Sequence, residues 1–149
     1  MTRLRWPVLC LLGGLYMSGA HAVDTVTSKD APDLTTVRAA IKAKNFAAAL
    51  TELKGLAVTY QHPDVYSLLG FALRKTGDKQ QSMTYYKKAL DFDPDHKGAL
   101  EYQGELYMEI GQPEKAKENL AKLQRLCPTG CEELDDLKEA VARTLPKGS

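Results

Sequence analysis

A block in the middle of the chain recurs at a spacing of 34 residues, and this internal repeat constrains the fold more than any other feature of the sequence. When residues 63–96 are aligned with residues 97–128, three pairs of identical residues coincide: Gly70 with Gly104, Gly77 with Gly111, and Pro94 with Pro128. Between these positions, apolar side chains recur every three or four residues, which is the spacing of an amphipathic helix. Each block is therefore predicted to form a helical hairpin.

The repeated glycines suit particular places in such a hairpin. Gly77 and Gly111 suit the left-handed residue that ends a helix, and Asp78 can then cap the helix that follows. Gly70 and Gly104 lie in helix interiors, where glycine costs about 1 kcal/mol relative to alanine. These two positions therefore need a packing reason, such as close approach of the paired helix.

Residues 63–96 also carry a set of large, small and turn-forming residues at fixed positions: Tyr66, Leu69, Gly70, Gly77, Tyr86, Ala89 and Pro94. Residues 97–128 retain much of this set: Leu100, Gly104, Tyr107, Gly111, Ala116 and Pro128. This pattern resembles the tetratricopeptide repeat. An earlier and weaker unit spans about 30–62, where Ala49 takes the place of the small packing residue, but that unit lacks the Leu-Gly pair and the closing proline.

The resemblance implies an all-α fold, an α-solenoid of about three helical hairpins plus a C-terminal capping helix. We expect a repeat domain over residues 30–144, with its units at about 30–62, 63–96 and 97–130 and the capping helix at 131–144. A cap is needed because a stack of hairpins must end in a polar outer surface. The segment CPTGCEELDDLKEAVA, which contains this helix, resembles a tail found in small exported bacterial repeat proteins.

The first 22 residues have the features of a cleavable signal peptide. Two arginines precede an apolar run from Trp6 to Met17, and Ala20 and Ala22 are the small residues that a signal peptidase requires. An uncleaved membrane anchor is the alternative, but the run is shorter than the roughly 20 residues that span a bilayer. We expect a mature chain that begins at Val23, is periplasmic or secreted, and is not inserted in the membrane.

The segments that flank the repeat domain are expected to be disordered: a linker over residues 23–32 and a tail over residues 145–149. The formal net charge of the whole chain is +1, and loss of the two signal-peptide arginines changes it to −1. No basic excess remains that would attract nucleic acid. The sequence contains neither a nucleophile elbow nor a phosphate-binding glycine loop, so it predicts no enzyme and no cofactor.

Cys127 and Cys131 are the two cysteines outside the signal segment, and three interpretations of this pair are open. An oxidising compartment favours a structural disulfide between the last repeat and the capping helix, which is the interpretation we prefer. A cysteine at a helix N-terminus favours thiol redox chemistry. The C-x-x-x-C spacing is similar to that of exported copper chaperones, although no nearby histidine completes a ligand set.

Two histidines, His62 and His96, occupy equivalent junctions between predicted hairpins. Each junction has a single histidine and no neighbouring cysteine. We therefore expect solvated turn residues and no metal site.

The resemblance to the tetratricopeptide repeat also implies a concave groove, lined by the first helix of each pair, that accepts a segment of another protein. The family's concave positions correspond to these partner-binding candidates: Arg38, Lys42, Phe71, Arg74, Lys75, Glu101, Glu105, Met108 and Glu109. Four cations fall on the first two units and three acids on the third. We therefore expect a partner segment that is acidic toward the N-terminal units and basic toward the third, with Phe71 and Met108 as apolar anchors.

Two alternatives to this binding surface remain open. The charges in the groove are also typical of any solvated helix face. Thiol redox or copper handling by Cys127 and Cys131 is a second possible function. The function predicted first is a non-catalytic interaction module or scaffold of the bacterial periplasm.

Overall fold

A computed structural model describes residues 31–144, and this part of the chain folds into seven α-helices with no β-strand. In chain order the helices are α1 Thr35–Lys42, α2 Phe46–Thr59, α3 Pro63–Lys75, α4 Lys79–Phe92, α5 Lys97–Glu109, α6 Pro113–Leu126 and α7 Glu132–Thr144. The prediction of an all-α solenoid of helical hairpins is confirmed. The signal peptide predicted for residues 1–22, positions 23–30 of the predicted linker and the predicted tail at 145–149 lie outside the described residues.

The helices stack as three successive pairs, α1 with α2, α3 with α4 and α5 with α6, followed by α7. Helix α5 packs against both α3 and α4 of the preceding pair, and α7 packs in the same manner against α5 and α6. Helix α7 therefore takes the place that the first helix of a fourth hairpin would occupy. This arrangement puts α1, α3, α5 and α7 on one side of the solenoid.

The turns inside the hairpins use a left-handed residue, as the sequence predicts. Gly77 has φ 96° and Gly111 has φ 73°, and the Asp78 carboxylate accepts a hydrogen bond from the Gln81 N–H at 3.0 Å, which caps α4. The first hairpin has no glycine at the corresponding place. Lys44 takes the left-handed conformation there with φ 57°, which an L-residue adopts at a cost of about 1 kcal/mol or more.

The two interior glycines are sites of close helix packing, but with different neighbours. A Cβ atom on Gly70 would lie 2.5 Å from the Tyr86 ring of the paired helix α4, as expected. A Cβ atom on Gly104 would lie 2.6 Å from Cδ2 of Leu137, on α7. Close approach of the paired helix is therefore the wrong packing reason for Gly104: the helix that approaches it is the one that follows the hairpin.

The apolar core has two parts. The first is shared by the first two hairpins and includes Val37, Leu53, Val65 and Leu69, none of which is exposed. The second is built from α5, α6 and α7 around Leu123 and the apolar stripe of α7: Leu134, Leu137 and Val141. Helix α7 thus completes the core of the last hairpin. None of the helices between residues 31 and 144 is long and apolar enough to cross a membrane.

Candidate functional site: the groove along the first helices

Two open depressions lie along the side of the solenoid formed by α1, α3, α5 and α7. The N-end pocket, near the N-terminal ends of α3, α5 and α7, has a volume of about 560 Å³. The C-end pocket, near the C-terminal ends of the same three helices, has a volume of about 360 Å³. The groove implied by the resemblance therefore corresponds to an open surface that includes α7 as well as the three hairpins.

The candidate partner-binding residues are distributed unevenly over this groove. Five of them line the C-end pocket: Arg74, Lys75, Glu105, Met108 and Glu109. Arg38 lines the N-end pocket, on its α1 side. The remaining three, Lys42, Phe71 and Glu101, are among the lining residues of neither pocket. Their participation in binding, like that of the other six, stays a prediction.

Arg74 is not free to contact a partner, because its charge is used inside the protein. Its side chain is only 3% exposed, and its guanidinium pairs with Glu105 and, at 3.2 Å, with Glu109. The Lys79 ammonium lies 3.3 Å from the second oxygen of the Glu109 carboxylate. Two of the three acids predicted to attract a basic partner segment are therefore neutralised by cations of α3 and α4. The expected separation of cations and acids along the groove is wrong at this point.

Phe71 lies between the groove and the aromatic contacts of the hairpins. Its ring centroid is 4.8 Å from that of Tyr102 on α5 and 6.2 Å from that of Phe46 on α2. The Lys75 ammonium is 5.1 Å from the ring centroid of Phe71, within the range of a cation–π interaction. Phe71 therefore holds three helices together while part of its surface remains exposed.

Glu101 differs from the other acids of the third hairpin. It is only 6% exposed, and its carboxyl makes no hydrogen bond or ion pair with any residue in the described range 31–144. Burial is the main cause that raises the pKa of this carboxyl to about 8, with smaller contributions from the carboxylates of Glu105, Asp136 and Glu133, whereas Arg74 lowers it. Part of this carboxyl population is thus protonated near neutral pH.

Helix α7 contributes acids to the groove that the sequence analysis did not include. The N-end pocket is lined by two basic residues, Arg38 and Lys97, and by five acidic ones: Asp64, Asp93, Asp95, Glu132 and Glu133. The sequence predicts α7 only as a capping helix. The residue spacing of α7 could not predict that Glu132 and Glu133 line the groove. They do so because α7 packs in the place of the first helix of another hairpin.

The two junction histidines cap helices, so the expectation that they are solvated turn residues is wrong. Nδ1 of His62 accepts a hydrogen bond from the Asp64 N–H at the start of α3, at 3.2 Å. Nδ1 of His96 accepts one from the Ala99 N–H at the start of α5, at 3.0 Å. Nε2 of His96 then donates to the Asp64 carboxylate at 2.8 Å, and this bond lowers the pKa of Asp64. The N-terminal ends of α3 and α5 are thereby linked along the N-end pocket.

Cys127 and Cys131 are joined as a disulfide, with their Cα atoms 5.8 Å apart. Cys127 follows the last residue of α6 and is buried in the C-terminal core, and Cys131 immediately precedes α7. The bond therefore fixes the short connection between α6 and α7. Within residues 31–144, no group of three or more histidine, cysteine or acidic side chains is arranged to hold a metal ion.

Comparison with known proteins supports the relationship suggested by the repeat pattern. Two overlapping segments, residues 63–96 and 85–118, each match the tetratricopeptide repeat. The chain is also similar to the BBSome complex member BBS4 of Bos taurus, with 32% identity over 86 residues. That match covers 58% of this chain and 17% of BBS4, so the chain spans less than a fifth of this relative. Tetratricopeptide repeats generally serve as non-catalytic scaffolds that bind other proteins. The sequence matches show tetratricopeptide repeats within residues 63–118, and the seven helices described between residues 31 and 144 stack as an all-α solenoid.

Proposed function

We propose that this chain is a non-catalytic interaction module that binds a segment of another protein in the groove along α1, α3, α5 and α7. The observation that carries the proposal is the position of the two pockets, both of which open on the side formed by these four helices. Two open pockets placed one after the other along the groove suit an extended or helical segment of a partner protein.

The relative that the chain resembles supports a role in an assembly. BBS4 is named as a member of the BBSome complex. We propose by analogy that the present chain is also a component of a multiprotein complex. The exposed cations Arg38, Lys42 and Lys75 remain available to an acidic part of the partner, because none of them forms an ion pair within the described residues.

We further propose that the module acts after export, in the periplasm of a bacterium or outside the cell. The support is the signal-peptide pattern of residues 1–22 together with a disulfide, which persists in oxidising compartments. Intact-mass measurement of the protein from the periplasmic fraction should give a chain that begins at Val23. A mass that includes residues 1–22 would contradict export by cleavage.

Site-directed photocrosslinking tests the groove itself. The photoreactive residue p-benzoylphenylalanine would replace Lys75, which is exposed beside the C-end pocket, or Lys87, which is exposed on α4 and lines neither pocket. We expect a specific adduct from position 75 and none from position 87. The partner would be identified by mass spectrometry, purified and shown to bind the unmodified protein. Equal crosslinking from both positions would rule out the groove as the binding surface.

A further inference from the structure

The buried carboxyl of Glu101 lies between the two pockets of the groove. On α5, Lys97 and Gly98 line the N-end pocket one turn before Glu101, and Glu105 lines the C-end pocket one turn after it. Glu101 is 94% buried on the basis of its 6% exposure and has no hydrogen-bond or ion-pair partner between residues 31 and 144. Among residues 31–144, the fully buried side-chain atoms without a hydrogen-bond partner are Arg74 Nε and the Tyr86 hydroxyl, so the Glu101 carboxyl still reaches solvent. A carboxylate that is largely removed from water with no cation beside it is unfavourable, and a cation that enters the groove can reach it.

The groups that face Glu101 do not relieve this cost. Glu105 on its own helix and Glu133 and Asp136 on α7 are all acidic. Arg74 on α3 lowers the pKa of Glu101, but its guanidinium is already paired with Glu105 and Glu109. Tyr102 is half-buried, and this burial, with a smaller contribution from Glu101, raises the pKa of its hydroxyl to about 12, so it stays neutral. Every acid around Glu101 therefore favours the entry of a positive charge.

The adjoining N-end pocket has the same electrostatic character. Its acidic lining residues outnumber its two basic ones, Arg38 and Lys97. Two of the five acids, Glu132 and Glu133, belong to the first turn of α7, so this turn forms one acidic wall of the pocket. A long, flexible basic side chain can place its charged end beside a buried acid while its aliphatic stem contacts the rest of the pocket.

We propose that the partner segment inserts a lysine or arginine side chain beside Glu101, where the acidic residues Glu133 and Asp136 of α7 complete the site. This inference depends on the proposed function, because it assumes that the groove is the binding surface, and it specifies the chemistry of the bound segment. Helix α7 then has two roles: it covers the core of the last hairpin and supplies one wall of the binding site.

The raised pKa of Glu101 gives binding a measurable signature. A cation beside the carboxyl stabilises its ionised form and lowers its pKa. Since the carboxyl of the free protein titrates at about pH 8, binding near pH 7 should release up to about one proton per bound segment. A cation that bound only to exposed surface acids would release almost no protons, because such groups are already ionised near pH 7.

Labelled decalysine and decaglutamate, both acetylated and amidated, are suitable probes before a natural partner is known. Fluorescence anisotropy at low ionic strength would compare the unmodified protein with E101Q and with E118Q, the same change at an exposed position on α6 outside both pockets. We expect decalysine to bind the unmodified protein and E118Q alike, and to bind E101Q about tenfold more weakly. The affinity of the protein for decaglutamate should not depend on residue 101. Calorimetry in two buffers of different ionisation enthalpy should show proton release for E118Q and not for E101Q.

Two results would overturn the inference: no binding of decalysine to the unmodified protein, or equal affinities for E101Q and E118Q. E133Q changes a partly exposed residue, so it keeps the test valid if E101Q does not fold. We expect E133Q to bind decalysine about threefold more weakly than the unmodified protein. An unchanged affinity would count against the site. The two proposals can fail separately. A natural partner that crosslinks to position 75 and binds E101Q normally would overturn the inference alone, whereas the absence of groove crosslinks would overturn the proposed function.

Discussion

Arg74 at the end of α3 and Glu105 in the middle of α5 form an ion pair across the groove, although 31 residues separate them in sequence. Glu109, one turn further along α5, binds the same guanidinium at 3.2 Å. The pairing joins the second hairpin to the third. It also shows that charges on the groove face can stabilise the solenoid in place of contacting a partner.

Replacing Glu105 with lysine should destabilise the protein, because the Arg74 side chain would remain buried beside a second cation. Breaking a buried pair costs about 3 kcal/mol or more, and the 21% exposure of Glu105 should reduce this to about 2 kcal/mol. Urea denaturation measures the difference. E109Q is the matched control, since Glu109 is 38% exposed and its loss should cost under about 1 kcal/mol. Equal losses for both variants would contradict the importance of the Glu105 pair.

Glu101 should make the protein less stable as the pH rises. Its pKa is raised from 4.5 in the unfolded chain to about 8 in the folded one, so between these values the folded state binds more protons. The free energy of unfolding therefore falls across this interval, by at most about 1.4 kcal/mol per pH unit for a single proton. Thermal melts of E101Q between about pH 5 and 8 should show a smaller decline than those of the unmodified protein. Parallel curves would show that Glu101 does not titrate in this range.

Gly104→Ala should weaken the attachment of α7. The new methyl group would lie 2.6 and 2.7 Å from the two methyl carbons of Leu137, which is fully buried and has little room to move. We expect a loss of about 2 kcal/mol, which is typical of overpacking. Gly55→Ala is the control, because Gly55 lies inside α2 with no atom within 4 Å of the added carbon. That change should stabilise the protein by about 0.5–1 kcal/mol, so the two variants should shift the urea midpoint in opposite directions.

Lys44→Gly should stabilise the first hairpin. Lys44 has φ 57°, whereas the corresponding turns of the other two hairpins use Gly77 and Gly111. Relief of the left-handed strain should exceed the entropy that glycine adds to the unfolded chain, for a net gain of about 0.5 kcal/mol. Differential scanning calorimetry would measure the shift in Tm. A lower Tm for this variant would mean that the lysine side chain contributes more than its backbone conformation costs.

Replacing Cys127 and Cys131 with serine should lower stability and leave binding unchanged. The disulfide closes a short connection beside the C-terminal core, and its loss should cost about 2 kcal/mol. Tm and decalysine affinity would be measured on the same preparations. Loss of binding or of a reductase activity at unchanged Tm would instead favour the thiol redox function, and a copper-dependent shift in Tm of the reduced protein would favour copper handling.

The sequence by itself determined the hairpins and the order of the helices, because their signals are local. Gly77 and Gly111 supply a backbone conformation that other residues adopt only with strain, and the apolar spacing on each side indicates helices of the observed kind. Such requirements act within a few residues, so they can be recognised without knowledge of how the hairpins stack. For Cys127 and Cys131, four residues apart, the sequence favoured a disulfide among three interpretations, and the structure shows the bond.

Only the tertiary structure decided which groove residues are available to a partner. The spacing of Glu101, Glu105 and Glu109 puts all three on one face of α5, and nothing in that periodicity distinguishes them. The stacking of α3 on α5 pairs Arg74 with Glu105 and Glu109. The stacking of α7 on α5 brings the acids Glu133 and Asp136 near Glu101. A charge is neutralised or left unpaired according to which helix lies opposite, and that depends on contacts between residues far apart in sequence.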